Sequence, residues 1–197
     1  MPIIALCGTI GSGKDSVAGF IRDYLEEESG IFSAGIYNFS DPLKKMVLGM
    51  FQQMGKCLYS FELDVKKDEK ITKKGTLRDI YKELAENFLK PHFGEDIFVN
   101  LAKTNTRKYP NYKFVIIPDL RFNVELDWLL SENATIIYLH GKNNRNLSEE
   151  VLNDKTEKDI DFFKLSQTYS NYHTLDATGT LEETKKRTVE LLKKIGY

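Results

Sequence analysis

Apolar positions along the chain alternate between two patterns. Short continuous runs, "IIALC" (3–7), "FSAGIYNFS" (32–40), "YKFVIIPD" (112–119) and "ATIIYLHG" (134–141), read as buried strands. "YHTLDATG" (172–179) reads as a fifth, weaker one. Between them the apolar residues fall at helical spacing. "KDSVAGFIRDYLEEE" repeats Val17, Phe20, Ile21 and Leu25, and Gly30 supplies a stop. "DPLKKMVLGMFQQM" predicts a helix capped by Asp41 with Pro42 at the first helical position. Residues 76–93 and 95–109 predict two helices broken at Pro91 and Gly94. "VELDWLLSEN" predicts another, with Trp128 on its apolar face. "TLEETKKRTVELLKKIG" closes the chain with an amphipathic helix opened by Thr180 and Glu183 as a capping box. Residues 55–75 and 142–158 are polar, and the second has the composition of a mobile lid.

Strand and helix in alternation mean a parallel sheet covered on both faces, an α/β fold. The expected organisation is a single domain over 1–197, with a helical insertion at about 41–110 and the lid at 142–158. Such sheets bind ligands beyond the carboxyl ends of their strands. The residues just after each strand are therefore the ones to inspect.

After the first strand comes "GTIGSGKDS" (8–16). Gly8, Gly11 and Gly13 allow backbone N–H groups to face an anion, and the following helix adds its positive end. Lys14 reaches β- and γ-phosphates in loops of this kind. Ser12 and Ser16 complete the cofactor-binding set. Asp15 stands where the usual pattern has a hydroxyl that ligates Mg²⁺, and a carboxylate can serve there directly or through water. After the second strand, Asp41 and Lys44 either cap a helix or face an acceptor substrate. After the third, Asp119 ends an apolar run as an Mg²⁺-holding acid does, Arg121 follows, and Glu125 falls on the next helical turn. Arg145 in the polar segment is a candidate lid arginine that closes on a transferring phosphoryl group. Arg78 is a candidate for bidentate phosphate binding.

Bulk composition narrows the field. The hydrophobic share of 41% and charged share of 29% suit a globular chain. A net charge of −1 argues against nucleic-acid binding by bulk electrostatics. The N-terminal apolar run is short, lacks preceding basic residues and breaks at glycine, unlike a signal peptide. No run has the length of a membrane span. A cytoplasmic location is expected. Cys7 and Cys57 have no motif spacing and read as reduced thiols, and the three histidines show no zinc spacing.

The assembled segments resemble the bacteriophage-type deoxynucleoside monophosphate kinases. Those carrying the resemblance are "GTIGSGKDS", "FSDPLK", "LRDIYKELAENFLKPHFGEDIFVNLA", "VIIPDLRFNVE", "TE" at 156–157 and "TGTLEE". The form Gly-Lys-Asp followed by Ser or Thr also occurs in the animal-type phosphomevalonate kinases. The resemblance implies a three-layer P-loop NTPase fold of the nucleoside-monophosphate-kinase type, with about five parallel strands. It implies ATP and Mg²⁺ as cofactors and a deoxynucleoside 5′-monophosphate as acceptor. It puts Lys14 and Asp15 at the donor phosphates and Arg121 beyond the central strand; Arg121 and the lid candidate Arg145 complete the expected catalytic set. Asp41, Lys44, Arg78, Asp119, Glu125 and Glu157 then bind substrate, and Asp15 and Asp119 bind the metal. No nucleic acid or membrane partner is expected, and a homodimer is compatible; a phage-encoded chain would work in the host cytoplasm. Phosphomevalonate-like or dephospho-coenzyme A-like kinases are the alternatives, together with a non-catalytic nucleotide-binding module.

Overall fold

A computed structural model of the chain describes residues 1–55, 75–107, 112–141 and 160–197. Arg145, Glu157, Cys57 and the lid expected over 142–158 lie outside the described residues. The described chain divides into two compact units, Met1–Asn38 with Thr104–Tyr197, and Phe39–Lys103.

The first unit is built on five parallel strands: β1 (Ile3–Cys7), β2 (Ala34–Ile36), β3 (Phe114–Ile117), β4 (Thr135–His140) and β5 (Tyr172–Asp176). Their order is β2-β3-β1-β4-β5, so β1 lies in the middle. Ile4 pairs with Ile116 on one side and Thr135 on the other. Helix α1 (Lys14–Ser29) follows β1 directly. The closing helix (Leu181–Ile195), numbered α8 below, starts from the Thr180–Glu183 capping box read from the sequence.

Side chains alternate across a strand, so Ile4 and Leu6 face one layer while Ile3, Ala5 and Cys7 face the other. All five are buried. On the first face, Ile4, Leu6 and Ile137 pack with Val17, Ile21 and Leu25 of α1 and Leu192 of α8. Each fully buried Leu or Ile there contributes about 1.5–3 kcal/mol of transfer free energy. The burial of the second face requires cover there too, as a three-layer α/β sheet has.

The second unit is helical in its described part. It holds α2 (Asp41–Gln53), α3 (Leu77–Leu84), a π-helical turn (Ala85–Leu89) and α4 (Lys90–Phe93). Val47, Phe51 and Leu77 form one buried cluster, and Leu43, Ala85 and Leu89 another. Helix α5 spans Ile97–Arg107. The break expected at Pro91 does not occur. Proline lacks an N–H and crowds the carbonyl four residues back. Here that carbonyl is Asn87's, inside the wider π turn, which absorbs the misfit. The helical run ends instead at Gly94, whose φ is +96°.

In the first unit, α6 (Asn123–Ser131) follows β3, and α7 (Phe162–Thr168), absent from the sequence reading, precedes β5. Among the described residues no helix is long and apolar enough to cross a membrane.

Candidate active site

The loop between β1 and α1 is shaped by three glycines with positive φ: Gly8 at +136°, Gly11 at +80° and Gly13 at +90°. A side chain is excluded at Gly8 on steric grounds as well, since a Cβ there would stand 2.6 Å from the Leu139 carbonyl oxygen. The Ser12 N–H donates to the Thr9 carbonyl at 3.1 Å and closes the turn. Ser12 is buried, and Gly141, just past β4, lies against its backbone. A Cβ at 141 would come within 2.5 Å of the Ser12 carbonyl oxygen. The sequence reading missed Gly141, although a glycine directly after "TIIYLH" was its signal.

Gly13 occupies the N-cap of α1 and has no side chain with which to cap it. No side chain at the N-cap competes for the first turn of that helix, and the helix dipole favours an anion there. Lys14 bends back over the loop. Its Nζ donates to the carbonyl oxygens of Gly8 at 2.6 Å and Thr9 at 2.8 Å and lies 3.5 Å from Ser12 Oγ. Asp15 and Ser16 are exposed on the first turn.

Beyond β3 the chain turns through Asp119, Leu120 and Arg121 into α6. Asp119 and Arg121 are half-buried. Glu125 is 4% exposed, so its carboxylate is turned inward. One oxygen, Oε2, accepts the backbone N–H of Arg121 at 2.9 Å and of Phe122 at 3.1 Å. Burial, reinforced by the negative charge of Asp119, pushes the Glu125 pKa up to about 8 against the pull of these two N–H groups. A small cavity of about 50 Å³ opens beside this turn, lined by Gly8, Thr9, Leu120, Arg121, Tyr138, Ile160 and Phe162. Tyr138 and Phe162 meet there with ring centroids 5.1 Å apart.

Beyond β5, Arg187 of α8 pins the next loop. Its Nη1 donates to the carbonyl oxygens of Thr178 at 2.6 Å and Asp176 at 3.1 Å. The Ala177 N–H donates to the His140 carbonyl at 2.8 Å, tying this loop to the end of β4. Cys7 is buried and its Sγ lies 3.6 Å from the Ile137 carbonyl; burial raises its pKa, so it is an inert core thiol.

The first unit therefore gathers Gly8, Gly11, Ser12, Gly13, Lys14, Asp15, Ser16, Asp119, Arg121 and Glu125 around the carboxyl ends of β1 and β3. Asp41, Lys44 and Arg78 belong to the second unit. Asp41 and Lys44 are three residues apart at the start of α2, and Arg78 is in the first turn of α3. The N-cap of α2 is Ser40, with no side-chain cap bond, so Asp41 is the first helical residue rather than the expected cap.

The loop fits a polyphosphate: glycines without Cβ atoms, a helix N-terminus without a side-chain cap, and one lysine bent across it. Among the described residues no three His, Cys, Asp or Glu side chains converge as a metal cluster. Mg²⁺ needs only one or two carboxylates when phosphates supply other ligands, and Asp15 and Asp119 are suited to that.

Comparison with solved structures agrees with this architecture. A gluconokinase from Sinorhizobium meliloti 1021 superposes with a TM-score of 0.51 at 15% identity, over 98% of this chain and 93% of that one. TT1252 from Thermus thermophilus superposes with a TM-score of 0.57 at 16% identity, over 100% of this chain and 98% of that one. The fold is the α/β P-loop NTPase type. No protein-family model and no curated sequence matches the chain. Within this fold the glycine-rich loop holds the position after β1 that its sequence context anticipates.

Proposed function

We propose that the chain is an ATP-dependent kinase of a small molecule, and that its acceptor is a deoxynucleoside 5′-monophosphate. The observation that carries the kinase reading is the loop at residues 8–16, with Lys14 across it, at the β1–α1 junction of a P-loop NTPase fold. The acceptor assignment rests on the sequence segments around Asp41, Arg78 and Asp119.

In this reading the terminal phosphoryl group of ATP passes to an oxygen of the acceptor phosphate. The bond from the γ-phosphorus to its bridging oxygen breaks, a new P–O bond forms, and ADP and a deoxynucleoside diphosphate leave. Bound Mg²⁺ would neutralise phosphate charge, held by Asp15 and Asp119. The N–H groups at the start of α1 would bind the donor phosphates, and Lys14 would exchange its carbonyl partners for phosphate oxygens. Arg121 would hold an oxygen of the transferring group beside Thr9. Asp41, Lys44, Arg78 and Glu157 would serve the acceptor, and Arg145 would close over the reaction. A phosphate acceptor is already anionic near neutral pH, so positioning and charge neutralisation carry the rate rather than a general base.

A second reading keeps the kinase and changes the acceptor. The likeness to a gluconokinase favours it, as does the loop form shared with phosphomevalonate kinases. ADP release separates the two when measured with Mg²⁺–ATP against all common deoxynucleoside and nucleoside monophosphates, phosphomevalonate, dephospho-coenzyme A and gluconate. Turnover above background with deoxynucleoside monophosphates alone supports the first reading. Turnover only with another acceptor replaces it by the second. ATP binding without acceptor-dependent ADP release leaves a nucleotide-binding module.

A further inference from the structure

Glu125 carries a carboxylate that the proposed reaction leaves without work. It is buried at 4% exposure on the first turn of α6, and it does not present itself to a ligand. Its Oε2 takes two consecutive backbone N–H groups, those of Arg121 and Phe122, at 2.9 and 3.1 Å. Consecutive donors on one oxygen fix the orientation of two adjacent peptide planes. They therefore fix the direction in which the Arg121 side chain leaves the backbone. Arg121 in turn lines the cavity that Gly8 and Thr9 of the glycine-rich loop share.

We propose that Glu125 is a positioning residue: it acts through Arg121, by holding the turn after β3 in the one arrangement that presents the guanidinium beside the glycine-rich loop. This replaces direct substrate contact as its role, and it rests on the kinase reading only for its catalytic consequence. A buried carboxylate would otherwise incur a desolvation cost with no return. Here two backbone N–H groups donating to Oε2 offset part of that cost, and removing their acceptor would leave two N–H groups of a tight turn without it.

The test has two arms. In the first, amide hydrogen exchange of wild type, Glu125→Gln and Glu125→Ala is followed residue by residue. Glu125→Gln keeps an acceptor oxygen and should keep slow exchange at Arg121 and Phe122. Glu125→Ala should speed exchange at those two amides by about 10-fold or more, beyond any uniform change across the sheet. In the second, ADP release is measured for Glu125→Ala, Arg121→Ala and the double variant with the best acceptor. Misplacing a reacting group by about 1 Å costs on the order of 100-fold, so Glu125→Ala should lose about 10–100-fold in kcat/KM. Glu125→Gln should recover most of that loss. The double variant should be no worse than Arg121→Ala alone, because the two act as one unit. Multiplying losses in the double variant, or unaltered exchange at Arg121 and Phe122 in Glu125→Ala, overturns the proposal. A wild type that turns over no acceptor sinks the kinase reading, and the exchange arm then decides the role of Glu125 on its own.

Discussion

A single methyl group at position 141 would come within 2.5 Å of the Ser12 carbonyl oxygen and 2.6 Å of its Cα. Both are backbone atoms that cannot swing aside. Gly141→Ala should therefore lower stability by about 1–3 kcal/mol and distort the glycine-rich loop with it. Thermal melting and an ATP titration check this together, and KM for ATP should rise. Gly13→Ala is the contrast, because a Cβ there meets nothing within 4 Å. Its cost comes only from the left-handed backbone at φ +90°, about 1–2 kcal/mol. Asp15 is exposed on the first turn of α1, free of any structural burial. Asp15→Ala should lose more Mg²⁺ dependence of turnover than Asp15→Ser, which restores a hydroxyl ligand; equal, near-wild-type Mg²⁺ responses in both would remove Asp15 from the metal site. Chemistry at this scale was legible where it depends on neighbours in sequence. The three glycines and Lys14 could be read because the turn between β1 and α1 needs them at set spacings. Tyr138 and Arg187 could not: the one matters through a cavity wall shared with Gly8 and Thr9, far off in sequence, and the other through carbonyl oxygens 9 and 11 positions back.

Helix ends were the most legible elements, because their determinants are local. The Thr180 box is present as read, with Thr180 Oγ1 accepting the Glu183 N–H at 3.2 Å and Glu183 accepting the Thr180 N–H at 2.8 Å. Thr180→Ala should cost about 1 kcal/mol by urea unfolding. The start of α2 was displaced by one residue, and Pro91 stayed inside a helical run because a π turn made room for it. Neither adjustment has a signature in residue type. The turn into α6 makes a pH-dependent prediction. The Glu125 pKa is raised from 4.5 to about 8 on folding. Between those values the folded chain holds a proton that the unfolded chain has lost, so this group's contribution to stability falls as pH rises. In metal-free buffer, the stability of wild type relative to Glu125→Gln should fall between about pH 5 and pH 8. The His173 pKa is lowered by burial and acts in the opposite sense, but it is common to both proteins and cancels in the difference. A pH-independent difference would mean that Glu125 ionises freely in the folded state.

For the whole molecule, the α/β class and parallel sheet followed from the alternation of buried runs and helical spacing. The order β2-β3-β1-β4-β5 did not, because the runs are chemically alike and only long-range pairing ranks them. Ligand linkage gives a prediction at this scale. Mg²⁺–ATP at about 100 times its Kd should stabilise the folded chain by about 2.7 kcal/mol and raise its melting temperature. Lys14→Ala should melt at nearly the wild-type temperature without nucleotide, show little of that rise, and lose turnover. A full thermal shift with normal turnover in Lys14→Ala would remove the loop from the nucleotide site. The middle strand has one more consequence. β1 is made before the other four strands, yet Ile3 pairs with Val115 and Cys7 with Tyr138. Leu139 and Gly141 complete the walls around Gly8 and Ser12. The glycine-rich loop thus acquires its shape only after β4 and Gly141 have been synthesised, and a nascent chain stopped before β4 should not retain ATP.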